Sequence, residues 1–304
     1  MKRRHSARAY LTGGQRQHAA RLFGCCRVVF NDFLAEAGRQ YSETGKTDFD
    51  QVAKQVTTLA KKTPERQWLA EVSSVALQQS IANAKRAYRN FFDSCSGKRK
   101  GRKVGFPKFK RRSGRQSATF TRNAGFSVRV DGCSKWGFVR LPGLGEVKFV
   151  VSADLDWDTL SSVTLIGNPD GTFEVSFTYQ PVEVTKEPAP DGTVAGIDLG
   201  LTVLASGVHL DGEGGGERFD EPNERHLRRK QRALARAQKS LSRKEKGSRK
   251  DKRPPSNNYL KQKQKVAKLH SQVARTRKDQ LDKFSLRVAR ENQTVGSAAR
   301  VGDI

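Results

Sequence analysis

Residues 194–201 read VAGIDLGL. Small and β-branched residues interrupted by Gly196 and Gly200 predict a short strand of the buried type, with one carboxylate, Asp198, at its end. A carboxylate lifted into an open strand mouth is where Mg²⁺ can reach it. Directly after it, residues 223–253 are dominated by Lys and Arg. A potential metal carboxylate thus stands before a surface suited to phosphates, which points to nucleic-acid chemistry.

The overall charge agrees. The chain has 304 residues, with 58 Lys+Arg against 31 Asp+Glu and a formal charge of +27. So large an excess repels itself and calls for a polyanionic partner. A membrane surface does not fit, because no apolar stretch approaches about 18 residues and the basic segments lack the aromatic-rich face of an interfacial helix. The opening MKRRHSARAYLTGG never develops the apolar core of a signal peptide, so a cytoplasmic location is expected. Cys25, Cys26, Cys95 and Cys133 form no Cys-x-x-Cys pair. They read as small core residues, with no zinc ribbon or disulfide framework indicated.

Three organisational blocks are expected. The first, residues 1–95, is helical: residues 12–40 carry Ala20, Phe23, Val28, Phe30, Phe33 and Leu34 on one face, with Gly24 as a candidate kink. A second helix is predicted over 49–61 before Pro64, and a third over 73–95, where Val75, Leu77, Ile81, Ala84, Tyr88, Phe91 and Phe92 recur at helical spacing. The second block, 96–184, opens with a basic loop in which Lys98, Arg99, Lys100, Arg102, Lys103, Lys108, Lys110, Arg111 and Arg112 surround Phe106 and Phe109. Its glycines deny it a stable helix. It reads either as a basic linker or as a surface that lays cations along phosphates while a ring packs on a base or sugar, and the shape of GFPKF favours binding. From residue 117 the period becomes two, which predicts a β-rich module with a hairpin turn at Asn168–Gly171. Residues 181–192, with three prolines, read as a crossing between domains.

The third block, 185–304, begins with the VAGIDLGL strand. Two more strands are expected at 203–210 and 216–219, around a Gly-rich turn that is no phosphate loop, because it lacks the Lys-Ser/Thr ending and carries acids. Two long helices follow, split by Pro254 and Pro255 into an antiparallel pair with basic outer faces. Arg228, Arg229, Arg232 and Arg236 lie on the first, and Val266, Leu269, Val273, Leu281, Phe284 and Val288 form the apolar stripe of the second.

On these residues the chain resembles the TnpB, or OrfB-type, proteins of insertion sequences, relatives of the type V CRISPR nucleases. GQRQHAARLFGCCRVVFNDFL at 14–34, KVGFPKFKRR at 103–112, and VAGIDLGL through the basic helices to LHSQVARTRKDQLDKFSLRVARENQ carry the match. GIDLG alone is also found in actin-like ATPases, to which the basic helix pair is foreign. The resemblance implies an α+β multidomain chain: an N-terminal helical unit, a barrel-like nucleic-acid-binding module, and an incomplete RNase H-like, RuvC-like α/β domain. It implies RNA-guided cleavage of DNA by Mg²⁺ chemistry, with guide RNA and DNA as partners and Asp198 as the first catalytic and metal-binding carboxylate.

The sequence departs from the family after residue 293. In place of an apolar strand bearing a glutamate, then a four-cysteine zinc ribbon, it reads TVGSAARVGDI. Residues 296–300 are too small and too charged for a central strand. One carboxylate holds Mg²⁺ poorly, so impaired cutting is expected, with no zinc bound. The alternative is a nuclease-inactive nucleic-acid-binding protein, a remnant or a repressor, and a cruder one is an RNA-binding protein without a DNA target.

Overall fold

The structure, a computed structural model, describes all residues except 1, 133, 154, 181–192, 201, 211–215, 223–224, 249–250, 252 and 298–304. The chain divides into two compact units, Met1–Glu183 and Val184–Ile304. Among the described residues no helix is long and apolar enough to cross a membrane.

In the first unit, α1 spans Gly13–Thr44. Thr12 starts it with a capping box: its hydroxyl accepts from the Gln15 N–H and the Gln15 side chain accepts from the Thr12 N–H, which satisfies two otherwise orphaned donors. The helix runs unbroken through Gly24. It ends at Gly45, whose φ of 71° lies in the left-handed region where a Cβ is costly. Next, α2 covers Phe49–Lys54, continues as a π turn over Gln55–Leu59 and closes with a 3₁₀ turn at Ala60–Lys62. α3 spans Ser74–Cys95 and presents Ala76, Leu77, Ile81, Ala84 and Tyr88 to the core. Cys26 is locked between the helices, its thiol on the Ala76 carbonyl and its own carbonyl accepting from Ser80 Oγ at 2.6 Å.

Seven antiparallel strands make one curled sheet: β1 (Arg3–Tyr10), β2 (Gln116–Thr121), β3 (Ser127–Val130), β4 (Trp136–Leu141), β5 (Gly145–Val150), β6 (Ser162–Gly167) and β7 (Phe173–Tyr179). Their order is β2-β6-β7-β1-β5-β4-β3. Phe120, Val139, Val147, Phe149, Val163, Leu165, Val175 and Phe177 are all fully buried and share one core with α1 and α3. Each such side chain contributes roughly 1.5–3 kcal/mol. The hairpin at Asn168–Gly171 forms as expected, with the Asn168 N–H donating to Thr172 O and Gly171 at a φ of 81°.

β1 is the main departure from the sequence expectation. It sits between β7 and β5, so the seven-stranded sheet is completed by residues from the start of the chain. Boundaries at 1–95 and 96–184 therefore cut through one unit with one core. The strand escaped notice because its inward residues are Ala7 and Ala9, set among Arg3, Arg4 and Arg8, and alanine carries almost no alternating apolar signal.

The second unit holds β8 (Val194–Leu199), β9 (Val203–Leu210), β10 (Gly216–Pro222), α4 (Arg225–Ser242), α5 (Asn257–Glu291) and β11 (Thr294–Ser297). Its sheet order is β10-β9-β8-β11, with β11 parallel to β8. Whereas the sequence excludes residues 296–300 only from a central strand, residues 294–297 form one at the edge of this sheet. Main-chain pairing started by the Gln293 and Thr294 N–H groups on Thr193 O sets it, so side-chain propensity does not decide. The stripe of α5 holds at Val266, Phe284 and Val288, which are buried, but shifts by one residue between them: Gln280 is buried and Leu281 is half exposed.

Two cysteine expectations hold and one does not. Cys25 and Cys26 are buried, and burial pushes their thiols up to about 11 and about 12. Cys95 is exposed and is no core residue. Cys133 lies outside the described residues.

Candidate carboxylate strand and basic surfaces

The pleat of β8 decides where Asp198 points. Ala195 and Ile197 are buried with Ala205 and with Phe284 and Val288 of α5, and Phe219 packs against the same cluster. The alternate residues, Gly196 and Asp198, therefore take the opposite, exposed face. Gly207 permits the close strand approach: a Cβ there would lie 2.7 Å from Gly196 O and 2.5 Å from the Phe219 ring.

Asp198 pairs across to Ser206 of β9, and Ser206 to Asp220 of β10, so the three share one row on that face. At about 4.8 Å per strand, Asp198 and Asp220 stand about 10 Å apart along the row. Asp220 was missed in the sequence because the strand was expected to stop at 219. Its carboxylate also faces Arg218 at 4.0 Å. Among the described residues no three His, Cys, Asp or Glu side chains gather as a metal cluster. Glu291, at the end of α5, lies 3.9 Å from His209, whose Nδ1–H donates to Asn292 Oδ1 and whose ring stacks on Phe219.

The two basic helices pack on each other through polar contacts: Lys230 Nζ donates to Thr276 at 2.6 Å, Gln238 meets His270 at 3.1 Å, and Gln262 donates to the Ala237 carbonyl. Arg228, Arg229, Arg232 and Arg236 are all exposed on α4. α5 is tied to its sheet by the Arg287–Glu221 ion pair and by Gln280 on the Pro222 carbonyl.

In the first unit, residues 98–112 form no helix or strand, yet they are pinned along their length. Ser94 Oγ accepts from the Val104 N–H. Asn31, on α1, clamps Lys110 by both main-chain groups, donating to its carbonyl at 3.0 Å and accepting from its N–H at 2.8 Å. Gln116 donates to the carbonyls of Arg111 and Gly114, and Arg27 holds Gln116 in turn. This segment is a fitted loop and not a loose linker.

The loop's residues separate by role. Lys98, Arg99, Lys100, Arg102, Lys103, Lys108, Arg111 and Arg112 are exposed. Lys110 is not: its ammonium lies 3.9 Å from the centroid of buried Phe30, and desolvation holds it below the usual lysine range. It anchors the loop instead of offering a free cation. Phe106 contacts Tyr88 and Phe91 edge-on at 5.5 and 5.3 Å, whereas Phe109, 60% exposed, has no ring beside it among the described residues. Phe106 is itself 55% exposed, so GFPKF is an exposed segment that rests on neighbouring rings through Phe106.

These features define a strongly basic mixed α/β protein that displays its cations on a fitted loop and a helix, and carries an exposed carboxylate on a sheet strand. The chain belongs to the TnpB, or OrfB-type, insertion-sequence family. The OrfB model of the IS605 type, described as "Probable transposase", matches residues 176–304, and its companion "Helix-turn-helix domain" matches residues 1–46. A Streptomyces pristinaespiralis protein named as an RNA-guided DNA endonuclease is 34% identical over 305 residues, covering 97% of this chain and 66% of its own length. InsQ of Escherichia coli K12, similarly named, is 32% identical over 290 residues, covering 93% and 62%. The chain therefore spans a little under two thirds of the curated relatives it matches. A solved Cas12f1 complex with sgRNA and target DNA aligns at a TM-score of 0.49 and 10% identity, over 95% of this chain and 78% of that one.

Proposed function

We propose that the chain serves in RNA-guided recognition of DNA within a mobile element, as part of a Mg²⁺-dependent endonuclease in the cytoplasm. The observation that carries this is the alignment of 97% of the chain with a protein named for that activity. In this reading the first unit grips guide RNA and heteroduplex by shape and backbone, using the loop cations and Phe109. The second unit is a partial RuvC-like nuclease domain whose α4 arginines, Arg228, Arg229, Arg232 and Arg236, lie along phosphates.

Asp198 would supply one carboxylate to the metal. Its strand-end exposure fits a ligand, but Asp220 stands about 10 Å away and Mg²⁺ keeps most of its waters unless several oxygens converge. The described residues do not by themselves make a two-metal site, and no cleavage step is assigned to them. The test is plasmid cleavage with Mg²⁺ and the cognate guide RNA. Cutting that is lost in Asp198→Ala supports the nuclease reading, and guide-dependent binding without cutting supports a nuclease-inactive binding protein. Binding that ignores guide RNA overturns both.

A further inference from the structure

The sheet of the first unit has an outer face that no core covers, and its register builds an unusual row there. Tyr10 of β1 pairs with Lys148 of β5, Lys148 with Phe138 of β4, and Phe138 with Arg129 of β3. Ring, cation, ring and cation thus follow one another straight across four adjacent strands. At about 4.8 Å per strand the two rings stand about 10 Å apart. Trp136, two residues before Phe138 on the same face, meets the edge of Tyr10 at 5.5 Å, and the Lys148 ammonium lies 4.0 Å from its centroid. The Arg8 guanidinium lies 5.5 Å from Tyr10, and that of Arg129 5.1 Å from Phe138. Tyr10, Trp136 and Phe138 belong to neither hydrophobic core, and Tyr10 is 42% exposed.

A core role does not account for these rings, because the alternate residues Ala9, Gly137, Val139, Val147 and Phe149 already fill the inner face, down to a Gly137 whose Cβ would collide with the Phe149 ring at 2.5 Å. Charge decides the occupant. Arg8, Arg129, Lys135, Arg140 and Lys148 face Glu146, which pairs with Arg129, and Glu174, which pairs with Arg115. The patch is net positive around one exposed ring, Tyr10, and two half-buried ones, Trp136 and Phe138. A duplex hides its base faces, whereas an unpaired strand offers bases to rings and phosphates to the cations between them.

We propose that this face is a stacking platform for unpaired nucleotides of an RNA, with Tyr10 and Trp136 under bases and Lys148 and Arg129 at phosphates. The choice of RNA rests on the reading above. The platform is separate from the loop of residues 98–112, which lies on α1 and α3.

The experiment measures binding of the full chain to fluorescent single-stranded polyuridylate, to polythymidylate and to an RNA duplex. Tyr10→Ala and Trp136→Ala are each expected to weaken polyuridylate binding about five- to hundredfold, with duplex binding unchanged and Trp136→Phe retaining most affinity. Lys148→Gln is expected to lower the slope of log affinity against log salt by about 0.7. Trp136→Phe and Lys148→Gln keep the question open to decision should the alanine variants fail to fold. Unchanged polyuridylate affinity in folded variants, or an equal loss on the duplex, overturns the platform and leaves the guide-RNA reading standing. Preference for polythymidylate overturns the RNA assignment. No polyuridylate binding by the parent chain overturns platform and reading together.

Discussion

Replacing Asn31 with alanine should release the basic loop at a measurable cost. The side chain makes two hydrogen bonds to Lys110, at 2.8 and 3.0 Å, in a half-buried position. Each is worth about 0.5–1.5 kcal/mol net, so the pair contributes about 1–3 kcal/mol. In a unit of this size 1 kcal/mol moves the melting midpoint by about 2–4 °C, which gives a drop of about 2–12 °C. Asn31→Asp should not rescue it, because a carboxylate accepts from the Lys110 N–H but cannot donate to its carbonyl. Differential scanning calorimetry reads the midpoint, and hydrogen exchange reads the Val104 to Lys110 amides, whose protection should fall. If the variant melts with the parent and those amides keep their protection, Asn31 is no clamp and the loop is held by its other contacts, those of Ser94, Gln116, Phe106 and the Lys110 ammonium on Phe30.

The two phenylalanines should part company: Phe106→Ala lowers the melting midpoint through its lost contacts with Tyr88 and Phe91, while Phe109→Ala leaves it unchanged and weakens nucleic-acid binding in a gel-shift titration. Neutralising Lys108, Arg111 and Arg112 together should cut the single-strand salt slope by up to about 2, whereas Lys110→Met should change stability far more than the slope. Gly137→Ala should destabilise by about 1–3 kcal/mol in a urea melt, because its Cβ meets the Phe149 ring. Cys25 and Cys26 have folded-state values raised to about 11 and about 12, above the ordinary value of 9.0, so the native chain binds more protons than the unfolded one above that pH. The stability they contribute is intact below pH 9 and is lost as pH rises through those values, which a pH series of denaturant midpoints would read.

Local features were legible. Residues 12–40 mark a helix, Asn168–Gly171 a hairpin, and VAGIDLGL a strand of the buried type that carries Asp198, each because the signal lies within a few residues of what it specifies. Features set by distant pairing were not. β1 offers alanines where a strand reading needs large apolar residues, and α5 buries Gln280 where the pattern favoured Leu281, because the helix phase answers to the sheet beneath it. Lys110 reads as one cation among nine, and only the contact with Phe30, eighty residues earlier, removes it from the free set.

The sequence by itself determined the charge of +27, the family and the placement of one carboxylate on a strand, since composition, motif and alternation are properties of the chain alone. Tertiary structure decided which side chains stand together. Asp220 reaches the row of Asp198, and Tyr10, Lys148, Phe138 and Arg129 reach theirs, only through strand register, which is fixed by burying one face of each sheet and by nothing in any one segment.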